Sequence, residues 1–132
     1  MPRSWIVGAS LLAGLWAGFL TSGCITPSIP IPPPDPALMT FMVTGDGASS
    51  TATFTYPANV NYRESIVFVY NRDRGLGIIE ATRPDGSVGP TQPVEAAIGE
   101  QIVVTFQREE QTVSTCVRLR NGAQSATDYC TL

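Results

Sequence analysis

The chain has 132 residues and a formal net charge of −3, and its eight basic residues are all arginine, with neither lysine nor histidine present. Without histidine there is no Ser–His or Cys–His nucleophile system and no usual zinc ligand; without lysine there is no Schiff base and no Walker-type phosphate loop. An acidic chain with scattered arginines also lacks the clustered basic footprint that nucleic acid requires, so no catalytic residue, metal, cofactor or nucleic-acid partner is expected.

The chain opens with a short basic start, Met1-Pro2-Arg3-Ser4, then an apolar run from Trp5 to Leu20, then small residues at Thr21, Ser22 and Gly23 before Cys24. Charged start, apolar middle and small-residue cleavage site are the layout of a secretory signal. The run falls short of the ~20 residues a confident membrane span needs, and Gly8, Gly14 and Gly18 weaken it as a helix. Leu20-Thr21-Ser22-Gly23-Cys24 resembles the lipobox of bacterial lipoproteins. The resemblance implies a signal over 1–23, cleavage before Cys24, and acyl chains such as palmitate on that cysteine and its new amine. The membrane is then a partner through those chains. Ile25, rather than aspartate, follows the cysteine, which by the same analogy favours the outer membrane of a Gram-negative cell envelope. The alternative is an ordinary signal cut nearby, leaving a soluble secreted protein.

Residues 24–36 read as the lipidated cysteine and a tether. I-T-P-S-I-P-I-P-P-P-D-P favours extended polyproline II, because proline fixes φ and removes a donor. Free in solution, residues 25–36 would span roughly 37 Å.

From Ala37 the texture becomes short alternating runs between turn signals. Met39, Phe41 and Val43 share one face ahead of Gly45-Asp46-Gly47; Ala52, Phe54 and Tyr56 share another over 50–56. Residues 65–70 are apolar on both faces, as a central strand requires. Residues 78–83 follow Arg74-Gly75 and end at Pro84-Asp85-Gly86. Ile102, Val104 and Phe106 align over 101–107, and Val113, Thr115, Val117 and Leu119 over 112–120; residues 126–131 close the chain, and 94–98 supply a short eighth strand. No segment after residue 24 has helical periodicity. The expectation is all-β, a single two-sheet antiparallel sandwich of about seven strands over 37–132.

Asp85-Gly86-Ser87, followed by Ala97-Ile98-Gly99-Glu100-Gln101-Ile102-Val103-Val104, resembles the "DGS … GD-x-V-x-V" cadence of bacterial Ig-like and fibronectin-III-like modules, with Glu100 where aspartate is usual. The resemblance implies a scaffold with adhesion or spacer duties.

Assigning Cys24 to lipid leaves Cys116 and Cys130, an even number in a compartment where disulfides persist; two free buried thiols are the alternative. The pair is symmetric about residue 123. A hairpin turning at Asn121 to Ser125 sets them opposite one another, and sets Arg118 against Asp128, Val117 against Tyr129 and Leu119 against Thr127.

Few residues remain as binding candidates. Tyr56, Tyr62 and Tyr70 could stack on sugars or anchor a protein partner if exposed; as core residues they would do neither. Glu109-Glu110 read as a solvated turn, and Asp46, Asp73 and Asp85 as turn residues that would bind calcium only if their loops converged. The leading expectation is a membrane-anchored envelope lipoprotein serving as a non-catalytic structural or protein-binding module. The alternative is a carbohydrate-binding or surface-adhesion module.

Overall fold

The computed structural model describes residues 29–132. The signal, the lipobox and Cys24 lie outside the described residues. Alternating apolar positions build eight strands: β1 (Thr40–Thr44), β2 (Thr51–Thr55), β3 (Ile66–Asn71), β4 (Leu76–Ala81), β5 (Val94–Glu95), β6 (Gln101–Arg108), β7 (Gln111–Arg118) and β8 (Gly122–Ala123). They form two antiparallel four-strand sheets, ordered β5-β2-β1-β8 and β4-β3-β6-β7. Helical content among the described residues is three 3₁₀ turns, Pro36–Leu38, Gly47–Ser49 and Val60–Tyr62. The all-β sandwich is as expected, with the short β5 as its additional strand.

The sequence alternation maps onto burial directly. Phe41, Ala52, Phe54, Val67, Val69, Ile102, Val104, Phe106 and Val117 interlock between the sheets, each fully excluded from water or nearly so. β3 sits between β4 and β6, the central position its two apolar faces suggest. The Pro84-Asp85-Gly86 turn comes within touching distance of the segment after β2. Gly86 has φ +83°, and a Cβ there would lie 1.9 Å from the Asn59 carbonyl oxygen, so only glycine fits.

Two sequence expectations change. Residues 126–131 do not make a continuous strand. The chain leaves β7, and its turn crosses to the other sheet as β8, pairing Ala123 with Thr40 and Gly122 with Phe41. It then returns along β7, where Val117 bridges Tyr129. The Gln124 N–H donates to the Met39 carbonyl, and the Asn121 side chain accepts from the Val43 N–H. The free edge of β1 thus captures the hairpin tip. Arg118 and Asp128 do stand opposite one another, the Arg118 N–H donating to the Asp128 carbonyl, while the Asp128 carboxylate lies 3.6 Å from Arg120.

The second change concerns the tether. Within 24–36, the described part does not stand free. Ile31, Pro34 and Pro36 are buried, and the segment runs along the seam beside β7. The Ile31 N–H donates to the Gln111 side chain at 2.8 Å, Thr115 Oγ1 to the Pro34 carbonyl at 2.7 Å, and the Tyr62 hydroxyl to the Pro32 carbonyl at 2.7 Å. Proline lacks an N–H but keeps its carbonyl, and these carbonyls take side-chain donors from the sandwich. The described part of a run that looks like a spacer is therefore a strap, packed on the sandwich from Ile31 onward.

Candidate functional site

Cys116 and Cys130 form a disulfide, with Cα atoms 5.0 Å apart. Their main chains are joined as well, the Cys130 N–H donating to the Cys116 carbonyl at 3.1 Å. The bridge pins the returning C-terminal segment to the outer side of β7. There Arg72 donates to the Thr131 carbonyl and approaches Cys116 Sγ at 3.7 Å.

The three candidate tyrosines do not share a surface. Tyr56 and Tyr62 are each 1 % exposed, which removes them as stacking platforms. They belong to an aromatic stack at the end of the sandwich near the β6–β7 turn. Tyr62 lies against Phe106 with centroids 4.1 Å apart, and Tyr56 meets both rings edge-on at 5.6 and 5.4 Å. Burial pushes both hydroxyls above the ordinary tyrosine value, and for Tyr62 the neighbouring Tyr56 adds to the rise. The two phenols stay protonated and serve the strap, Tyr62 donating to Pro32 while Tyr56 accepts from the Asp35 N–H at 3.0 Å. Tyr70 alone is open to solvent, 44 % exposed on the outer side of β3.

The opposite end carries a polar cluster that sequence reading did not single out. Asn71, at the end of β3, is wholly buried. Its Oδ1 accepts from the Asp73 and Arg74 N–H groups at 3.0 and 3.3 Å, and its Nδ2 donates to the Glu95 carbonyl at 3.0 Å and to Glu100 Oε2 at 2.6 Å. Glu100 also accepts from the Ala97 N–H at 2.8 Å and from Arg74 Nε at 3.0 Å. Burial alone would raise the Glu100 carboxyl; the Ala97, Asn71 and Arg74 donors together outweigh it and hold it below the ordinary carboxylate value. Arg74 reaches on to the Ala48 and Gly47 carbonyls, so three loops are tied at one point. With every polar atom of Asn71 and Glu100 occupied by the protein itself, the cluster is a fastening.

The acidic residues lie apart. Asp73 accepts from the Gln101 N–H at 2.7 Å, and Asp85 caps its own turn through Ser87. Glu109 and Glu110 form the two-residue turn closing β6 onto β7, where Arg108 pairs with Gln111. Among the described residues no group of three or more histidine, cysteine, aspartate or glutamate side chains could hold a metal ion. No helix among them is long and apolar enough to cross a membrane.

No family model, curated protein or solved structure matches the chain. Among the described residues, the outer face of the β4-β3-β6-β7 sheet around Tyr70 is open to solvent. Phe68, Tyr70, Arg72, Val103, Thr105 and Leu132 line a shallow depression of about 500 Å³ there. A second cleft, about 810 Å³, runs between the proline strap and the returning C-terminal segment, with Pro32, Pro33 and Leu38 on one side and Tyr129, Cys130 and Leu132 on the other. Only Tyr70 signalled this surface in the sequence. Phe68 and Val103 are hidden from pattern reading, because an apolar run in a central strand looks like core on both sides.

Proposed function

We propose that this protein is an envelope lipoprotein, moored by acyl chains on Cys24, whose non-catalytic sandwich binds another protein. The observation that carries the reading is the Cys116–Cys130 bridge. Once Cys24 is given to lipid, the two cysteines left over are the two that pair, and such a bridge persists in an oxidising, exported compartment. The lipobox-like stretch supplies the mode of attachment, and Ile25 favours the outer membrane. Burying methylenes contributes ~0.8 kcal/mol each, and stable attachment needs more than one chain, which a modified cysteine bearing acyl groups on sulfur and amine provides.

The docked strap alters the reach of this arrangement. With Ile29 and Ile31 already held at Gln111, only residues 24–28 separate the anchor from the body. At ~3.3–3.6 Å per extended residue that is roughly 17 Å, so the domain rides close to the membrane. The end bearing the β6–β7 turn faces it. The absence of histidine and lysine supports a role without chemistry, and burial of Tyr56 and Tyr62 takes away the row of aromatics that glycan stacking needs.

The test is Cys24→Ser in the full-length chain. Palmitate incorporation and sedimentation with membranes should both disappear, while the Cys116–Cys130 peptide should still be recovered under non-reducing conditions. A serine variant that stays with the membrane contradicts the anchor, and alkylatable thiols at 116 and 130 in the exported protein contradict the compartment.

A further inference from the structure

The edges of the two sheets are finished unequally. β5 and β8 close one sheet as strands of two residues each. The edge of β7 is occupied: the Arg118 N–H donates to the Asp128 carbonyl, the Cys130 N–H to the Cys116 carbonyl, and the proline strap bonds to Gln111 and Thr115. β4 differs. It is six residues long, Leu76–Ala81, and among the described residues no strand lies beyond it.

Hydrogen-bond alternation decides which main-chain groups of β4 are free. The Thr82 N–H donates to the Ser65 carbonyl at 2.9 Å, and the register continues one to one from Ile66–Ala81 to Asn71–Leu76. Antiparallel pairs alternate between bonded and non-bonded, so Glu80, Ile78 and Leu76 turn their N–H and carbonyl groups toward β3. Gly77, Ile79 and Ala81 turn theirs away. All three residues are exposed, and among the described residues nothing bonds to those outward groups. Proline, lysine, a bulge or an inward charge ordinarily blunts such an edge. β4 has no proline or lysine and no bulge. Its one charged residue, Glu80, already accepts from the Gln92 N–H at 2.6 Å.

We infer that β4 is a strand-docking edge, and that its occupant is an extended segment of a partner protein. Donors and acceptors that recur at every second residue, about 6.8 Å apart, are matched by the main chain of another extended strand. The side chains narrow the segment further. Ile79, 65 % exposed, stands between Gly77 and Ala81 on the outer face. A Cβ at 77 would fall 2.7 Å from the Val69 carbonyl oxygen, so that position stays bare. Small, large, small along the edge suits a segment with bulky β-branched or aromatic residues across from 77 and 81 and a smaller one across from Ile79. Proline is excluded wherever the segment must donate. That the segment belongs to another protein rests on the proposed binding role; the open edge does not.

The experiment has two arms. The first uses the full-length exported Cys24→Ser chain and a synthetic peptide of eight alternating threonine and valine residues. In the free chain the amides of Gly77, Ile79 and Ala81 should exchange quickly with solvent, and those of Ile78 and Glu80 slowly. Peptide at millimolar concentration should slow the first three several-fold, and the same peptide N-methylated throughout should not. Ala81→Pro deletes one outward N–H and no bond to β3, so it should weaken binding about tenfold while Ile78 and Glu80 stay protected. Three amides that the peptide leaves unmoved, or a methylated peptide that binds equally well, overturn the edge. Protection of those amides that rises with protein concentration alone assigns the edge to a second copy and overturns the partner. In the second arm, the full-length protein in cells carries a benzophenone amino acid at position 79 or, for comparison, at exposed Ile98. Crosslinks from 79 to one segment of another protein, lost in Ala81→Pro, are expected. Crosslinks from 98 alone overturn the edge and leave a protein-binding role intact; crosslinks from neither contradict that role, and the peptide still decides the edge.

Discussion

The two ends of the sandwich are closed by opposite means. Near the β6–β7 turn, Tyr56, Tyr62 and Phe106 fill the space with rings, and two phenolic hydroxyls fasten the proline strap across them. At the other end, Asn71, Arg74 and Glu100 join three loops through hydrogen bonds and one ion pair. The apolar end tolerates loss of a polar atom better than loss of volume. The polar end has the reverse sensitivity, because a buried amide stripped of its partners leaves donors and acceptors unmatched.

Substitutions can break this contrast in order of size. Phe106→Ala removes the ring on which Tyr62 lies and should lower stability by ~3–5 kcal/mol, read by urea denaturation. Asn71→Ala removes no comparable volume, yet it strands the Glu95 carbonyl and the loop N–H groups. A loss of ~1–3 kcal/mol is expected, and a negligible change would mean that water substitutes for the amide. Tyr62→Phe keeps the stack and deletes the bond to Pro32, so a loss of about 1 kcal/mol is expected, with faster proteolysis of the strap as its signature.

The smallest effect is in pH dependence. The Glu100 carboxyl is held below its unfolded value, so the unfolded chain binds its proton more readily. Its contribution is complete above the ordinary carboxylate range near pH 4.5 and fades as pH falls through the lower folded value. Melting temperature followed between pH 7 and pH 3 should fall less steeply in Glu100→Gln than in the native protein. Parallel curves would show that Glu100 carries no linked proton.

The contrast also marks what a sequence can disclose. Ala52-Phe54-Tyr56 and Ile102-Val104-Phe106 announce their buried faces because strand periodicity is a local property. The Cys116–Cys130 register follows from symmetry about a single turn, and the Val117–Tyr129 bridge agrees with it. Asn71 is silent because the two acceptors of its Nδ2 lie 24 and 29 residues away, brought close only once the loops converge. The strap is misread for a related reason: proline-rich composition argues for an extended chain, and an extended chain can lie on a seam as readily as in water. Ile31 was the available signal, an apolar side chain among prolines that is buried against the body. Crossing of β8 to β1 has no local signature in Gly122-Ala123, since an edge strand is extended by whatever backbone reaches it.

The anchor is the claim on which orientation and reach depend together. Its most direct test is the intact mass of the N-terminal peptide released from protein extracted from native membranes. The account expects that peptide to begin at Cys24 and to carry acyl groups on both sulfur and amine. An unmodified peptide, or one beginning at another residue, would contradict it.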